Sequence, residues 1–201
     1  MITLALPSRG RLAREVELFV QQAGLTTERA YRSLQCTDAA ARVKIIFVHH
    51  KDAGMLVEQG YVDFAITAQD ILAEHPSQVR VLAQLGFGQC QIVLAVPETL
   101  PVQSIADMEG QVIATCYPRF TQAWLVQHQL QCPVVPLHGS LEIMPALGIA
   151  TGIVDTYQTG ISARMHSLRV IATLMHSQAV LIGNIASEKH ERIMKTLCLS
   201  S

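Results

Sequence analysis

Apolar positions follow two rhythms along this chain. Ile2 to Leu6 is a short unbroken apolar run, the pattern of a strand covered on both faces. Pro7-Ser8-Arg9-Gly10-Arg11 interrupts it as a turn. Apolar side chains then recur at Leu12, Val16, Phe19, Val20 and Ala23, which is helical spacing, and Gly24 supplies a stop. Val43 to Val48 predicts a second strand. Asp52 to Gln59 predicts a short helix ended by Gly60. Val62 to Ile66 is again strand-like. Asp70 to His75 reads as a short helix capped by its own acid, and Val79 to Leu85 and Gln91 to Val96 as strands.

Pro97 to Pro101 marks a change of element or domain. Beyond it the alternation resumes. Strands are expected at Gln111 to Thr115, Pro133 to Leu137 and Gly152 to Tyr157. Helices are expected at Phe120 to Gln129 and Ser140 to Ile149. Leu168 to Leu174 and Ala179 to Ile182 are late strands, and Ser187 to Leu197 is a closing helix with Ser187 as its N-cap. Strands alternating with short helices predict an α/β protein with parallel sheets and helices on both faces. Such sheets bind ligands at the carboxyl ends of their strands.

Composition narrows the function classes. The chain has 201 residues, room for one large domain or two small lobes. Half are hydrophobic and 15% are charged, a globular balance. A net charge of −1 provides no basic field for nucleic acid or an anionic membrane surface. Arg9 and Arg11 follow the first apolar run rather than precede it, unlike a secretory signal, and no run reaches membrane-spanning length. The expected location is therefore cytoplasmic. Cys36, Cys90, Cys116, Cys132 and Cys198 lack paired spacing and read as free thiols. The histidines lack ligand spacing too. The adjacent His49 and His50 point in different directions on a helix or a strand, so no metal site built from protein side chains is expected.

Three segments carry candidate chemistry. In Gly152 to Ser162 a buried strand ends in Asp155 and a hydroxyl-rich loop follows. Backbone N–H groups there can converge on phosphate oxygens, with Thr159 and Ser162 adding donors and Gly160 allowing close approach. An acid at the strand end can accept hydrogen bonds from sugar hydroxyls. An ordinary strand-to-helix turn fits the same residues. In His138-Gly139-Ser140-Leu141-Glu142, Ser140 can cap a helix whose first turn holds Glu142, or Glu142 can sit at a ligand cleft. Arg9-Gly10-Arg11 places two guanidinium groups after the first strand, where they suit a pyrophosphate or triphosphate, or simply flank a turn.

The order of motifs is more telling than any one of them. Leu6-Pro7-Ser8-Arg9-Gly10-Arg11-Leu12 is followed by Asp63-Phe64-Ala65-Ile66-Thr67-Ala68-Gln69-Asp70-Ile71-Leu72. Ala114-Thr115-Cys116-Tyr117-Pro118, then Gly139 to Glu142, then Ile153-Val154-Asp155 through Thr159-Gly160 complete the series. This succession resembles the ATP phosphoribosyltransferases, the first enzymes of histidine biosynthesis, from Ile2 to about Asn184. The length resembles their short form, without a histidine-binding regulatory domain.

The resemblance implies a two-lobed fold like the type II periplasmic binding proteins, with a ligand cleft between lobes. Residues 1–88 plus 168–201 would form lobe I, and 89–167 lobe II with the phosphate loop. It implies a glycosyltransferase: N1 of the ATP adenine attacks the anomeric carbon of phosphoribosyl pyrophosphate, and pyrophosphate leaves with Mg²⁺ bound. The phosphoribosyl pyrophosphate site would comprise Asp155, Gln158, Thr159, Gly160, Ile161 and Ser162. Arg9, Gly10, Arg11, Arg32 and Asp70 would face ATP, and Arg9, Arg32, Glu142 and Asp155 would act in catalysis. Implied partners are a second copy of the chain and a histidyl-tRNA-synthetase-like regulatory subunit. The chain departs from the family's usual pattern at Arg9 (commonly lysine), His49 (commonly arginine), Ala68 (commonly glycine), Cys116 (commonly basic) and Thr151 (commonly aspartate). After Gly160, Ile161-Ser162-Ala163 also differs. The departures keep a second expectation open, a relative with an altered or lost ATP side, and a third, a binding-only protein with a sugar-phosphate site.

Overall fold

The structure is a computed structural model that describes residues 1–157 and 168–199. In chain order the elements are β1 (Ile2–Pro7), α1 (Ala13–Gln22), β2 (Gln35–Asp38), β3 (Val43–Val48), α2 (Ala53–Glu58), β4 (Phe64–Ala68), α3 (Gln69–Glu74) and β5 (Val79–Gln84). There follow β6 (Cys90–Pro97), β7 (Ile113–Thr115), α4 (Pro118–Gln127), β8 (Val134–Pro136), β9 (Gly152–Tyr157), β10 (Leu168–Ser177), β11 (Ala179–Asn184) and α5 (His190–Thr196). The chain divides into two compact units, Met1–Gly88 with Gln178–Ser201, and Gln89–Ser177.

Unit 1 is a six-stranded sheet in the order β2-β3-β1-β4-β11-β5. β1 lies parallel to β3 and β4, while β11 runs antiparallel to β4 and β5. The unbroken apolar run of β1 is explained by its central place, because both faces are covered. On one face Ile2, Leu4 and Leu6 pack with Val16 and Val20 of α1 and Ile193 of α5. On the other, Ala5 and Ala65 pack with Ala53 and Val57 of α2. Val16 and Val20, four apart, form the buried stripe of α1. Unit 2 is a five-stranded sheet in the order β10-β6-β9-β7-β8. α4 covers one face through Leu125, and Leu141 and Ala150 cover the other. Pro118 opens α4 at a position where the missing N–H costs nothing.

Several expectations are corrected. The sheets are mixed rather than parallel: β2, β5, β6, β10 and β11 take antiparallel partners. The chain returns to unit 1 at Gln178 rather than at 168, because all of β10 pairs along β6 from Leu168↔Pro97 to Ser177↔Cys90. The segment Ser140 to Ile149 is not a helix but a single 3-10 turn, Leu141–Ile143, followed by turns. Ser140 sits at φ 52° and caps nothing with its side chain. Pro145 and Gly148 explain the failure: one removes a donor and the other takes φ 70°. Asp70 is not a cap either, since α3 begins at Gln69 and Asp70 lies inside its first turn. Lys189, not Ser187, precedes α5, although the Ser187 hydroxyl accepts from the Lys189 N–H at 3.2 Å. β2 was not anticipated, because Gln35-Cys36-Thr37-Asp38 carries little apolar signal for an edge strand.

Candidate active site

In unit 1 the parallel register of β1 and β3 ends at Pro7↔Val48, and β4 runs beside them in the same direction. Their carboxyl ends therefore release three segments on one edge: the turn Ser8 to Arg11, the pair His49-His50, and Gln69-Asp70. The Ser8 N–H donates to the Val48 carbonyl at 2.8 Å and holds the first turn against the second. Gly10 takes φ +92°, a conformation that disfavours a side chain, and a Cβ there would lie 3.6 Å from His50 Nδ1.

Arg11 and Asp70 are joined. The Arg11 guanidinium donates to Asp70 Oδ1 at 3.1 Å, and Asp70 is 1% exposed. A buried carboxylate needs such a partner, since desolvation of a lone charge costs several kcal/mol. A second Arg11 nitrogen donates to the Gly88 carbonyl. His49 and His50 stack with ring centroids 4.3 Å apart. His49 Nδ1 accepts from the Lys51 N–H at 3.3 Å. His50 is pushed down to about 4, first by burial and then by the charges of His49, Lys51 and Arg11, with Asp70 opposing. His50 is thus a neutral imidazole at pH 7. Arg9 is exposed. Arg32 is also exposed, at φ 62° in the irregular stretch before β2, with its guanidinium 5.3 Å from the Tyr31 ring. Thr67, buried near the end of β4, has a hydroxyl without a partner among the described residues.

In unit 2, β7, β8 and β9 run parallel, with Thr115↔Val154 and Thr115↔Pro136 in register. Thr115 organises this end. Its hydroxyl donates to the Val154 carbonyl at 2.8 Å and accepts from the Tyr117 N–H at 2.8 Å. Asp155 follows Val154. Burial pushes its carboxyl above the usual carboxylate range, although the Thr156 N–H at 2.7 Å and hydroxyl at 3.4 Å pull back, and the negative charge of Glu142 adds to the rise. Glu142, exposed in its 3-10 turn, is the acid whose charge acts on Asp155. Among the described residues no cation pairs with Asp155. Gln158, Thr159, Gly160, Ile161 and Ser162 lie outside the described residues.

Sequence reasoning missed the pairing of Arg11 with Asp70 and the role of Thr115. Strand-end position was a signal for Thr115; for the ion pair there was none across so many residues. Glu142 and Thr151 also line a hollow of about 580 Å³ in unit 2, with Pro97, Leu100 and Ile149 on its walls. Among the described residues no group of three or more His, Cys, Asp or Glu could hold a metal ion, and no helix is long and apolar enough to cross a membrane.

Two mixed α/β sheets give the chain a fold like that of the type II periplasmic binding proteins. A solved histidine kinase sensor domain with similarity to periplasmic binding proteins shares this fold, with a TM-score of 0.62 at 11% identity over 98% of this chain and 89% of that one. The family model described as ATP phosphoribosyltransferase matches residues 49–199, and the chain belongs to that family. An ATP phosphoribosyltransferase of Methanopyrus kandleri is 34% identical over 92% of this chain. A chain of the Thermotoga maritima ATP phosphoribosyl transferase (HisG:HisZ) complex superposes with a TM-score of 0.83 at 25% identity, covering 98% of this chain and 97% of that one. The chain spans just under two thirds of the length of the curated relatives it matches, 65% in the Methanopyrus protein.

Proposed function

We propose that this chain transfers the phosphoribosyl group of phosphoribosyl pyrophosphate to N1 of the ATP adenine, releasing pyrophosphate, as the first step of histidine biosynthesis. Family membership across residues 49–199 supports the reaction. The observation that carries the site is Asp155: a partly buried acid in the second half of β9 whose pairing partners among the described residues are the N–H and hydroxyl of Thr156. A carboxylate so placed is suited to hydroxyl donors of a ribose rather than to a fixed cation. Asp155 would hold the ribose hydroxyls, and Gln158, Thr159, Gly160, Ile161 and Ser162 would hold the 5′-phosphate.

Unit 1 would supply the ATP side, with Arg9, Gly10, Arg11, Arg32 and Asp70. The exposed Arg9 and Arg32 retain guanidinium groups for phosphate, and the stacked His49-His50 pair offers ring faces. The transition state separates charge, the ribose becoming cation-like as pyrophosphate gains negative charge. Asp155 and Glu142 would favour the cation, and the arginines the leaving group. Mg²⁺ would arrive on the pyrophosphate and neutralise it, as substrate rather than as a resident metal. The chain would work in the cytoplasm, as a dimer with a regulatory partner of the kind named in the Thermotoga complex. His49, standing where the family commonly has arginine, favours one alternative: a relative that keeps the sugar-phosphate site and has changed its second substrate.

The test mixes the chain with ATP, phosphoribosyl pyrophosphate, Mg²⁺ and a pyrophosphatase, with and without the regulatory partner, and follows the adenine adduct. Absence of product in both mixtures sinks the proposal. Calorimetric binding of phosphoribosyl pyrophosphate without turnover selects the altered relative.

A further inference from the structure

Gly88 is the last residue of unit 1 before the chain passes to unit 2 at Gln89. It is buried, and it belongs to no strand. Buried peptide groups outside secondary structure need partners from elsewhere. Two side chains provide them. Arg11 donates to the Gly88 carbonyl, and Glu15 Oε2 accepts from the Gly88 N–H at 3.0 Å. Arg11 and Glu15 are four residues apart across the start of α1, so they project from one side and straddle one residue. As an oppositely charged pair at that spacing they would ordinarily bond each other. Here each takes one half of the Gly88 backbone instead.

The seat is shaped for glycine. Gly88 has φ +63°, and an added Cβ would lie 2.1 Å from Leu12 Cδ2. The remaining charge of Arg11 faces Asp70 at 3.1 Å. Two partners thus converge on one guanidinium, the Asp70 carboxylate of α3 and the carbonyl of Gly88. A side chain so engaged has little freedom to reach a nucleotide phosphate.

We propose that Arg11 and Glu15 are positioning residues, which clamp the Gly88 peptide against the Asp70 carboxylate and so hold the departing chain to the edge that carries Arg9 and Gly10. The proposal rests on the reading of that edge as the ATP side, and it moves Arg11 from ligand contact to framework. Loosening Gly88 lets that edge of unit 1 leave the geometry in which Arg9 assists the reaction, so turnover suffers while nucleotide affinity does not.

The test compares Arg11→Lys, Glu15→Ala, their double variant and Glu15→Gln in the full chain. The readouts are amide hydrogen exchange at Gly88, calorimetric affinity for ATP, and kcat and KM in the coupled assay. Arg11→Lys and Glu15→Ala should each speed Gly88 exchange at least tenfold and lower kcat by similar factors, with the ATP dissociation constant within twofold of the parent. The double variant should do no more than either single change. Glu15→Gln, whose amide oxygen still accepts from the Gly88 N–H, should restore the parent's behaviour. The proposal is overturned if the two effects multiply, or if Arg11→Lys weakens ATP tenfold while Glu15→Ala leaves exchange and kcat unchanged. A parent chain without turnover would refute the proposed reaction but not the clamp, since the exchange measurement decides that alone.

Discussion

The two units treat charge at their strand ends in opposite ways. In unit 1 the ionic groups compensate one another: Arg11 lies against Asp70, and His50 stays neutral beside three cationic or ionisable neighbours. In unit 2 a partly buried carboxylate has its proton affinity raised by burial and by the charge of Glu142, and among the described residues hydrogen bonds from Thr156 oppose the rise. The first arrangement stabilises a scaffold. The second leaves a partly buried carboxylate whose ionised form hydrogen-bond donors of a ligand would favour. Family membership alone does not reveal this division, because the motif residues look equally functional in both units.

The comparison can be broken most forcefully at Asp70. Asp70→Ala leaves Arg11 without its carboxylate in a half-buried place and should cost about 3 kcal/mol of stability. For a chain of this length that lowers the melting temperature by roughly 6–12 °C in a thermal denaturation experiment. A change under about 1 kcal/mol would mean that the pair is solvated and that unit 1 is not internally compensated.

Next in size is the ligand side. Asp155→Ala should weaken phosphoribosyl pyrophosphate by about 1–3 kcal/mol, roughly 5- to 150-fold, measured by calorimetry. Unchanged affinity would place the sugar site on another loop. The same position sharpens the contrast in the absence of ligand. Burial raises the Asp155 pKa in the folded chain, so the folded state binds that proton more tightly than the unfolded one, and the ionised carboxylate opposes folding at neutral pH. Asp155→Asn should therefore melt higher than the parent at pH 7, and the gain should shrink to nothing as pH falls below the ordinary carboxylate range. An acid retained at a cost in stability fits a functional position.

His50 makes a smaller, opposite prediction. The unfolded chain takes up this proton near pH 6.5, the folded chain only at about 4. The stability it contributes is complete above about pH 6.5 and is lost as pH falls through the interval down to about 4. Solvent screening limits the loss to on the order of 1 kcal/mol. In His50→Asn the stability profile should lose that slope. The smallest effect is expected far from either edge: Glu191→Gln removes the exposed Lys195 pair of α5 and should leave the melting temperature unchanged within the precision of a thermal denaturation experiment.

Much of the frame was legible along the chain. β1, β3, β6 and β9 are rich in apolar and β-branched residues, and such runs report strands whatever the topology. α1 and α4 were legible from their periodicity and stops. Elements whose signal is polar or interrupted were not. β2 alternates without apolar residues of size, and the stretch from Ser140 to Ile149 has helical spacing but is broken by Pro145 and Gly148. The direction of β10 was hidden as well, because an antiparallel and a parallel neighbour bury the same side chains.

For the candidate site, the sequence by itself determined which groups carry candidate chemistry: Arg9, Gly10 and Arg11 in the turn after β1, then Asp70, Glu142 and Asp155. Spacing, turn residues and motif order are local properties, and the chain carries them openly. Tertiary structure alone decided what those groups face. Arg11 meets an acid 59 residues away and a carbonyl 77 residues away. Asp155 meets no cation among the described residues and shares its surroundings with Glu142. Whether a charge is compensated or left available depends on neighbours that only folding brings within a few ångströms, where the low dielectric makes each partner count.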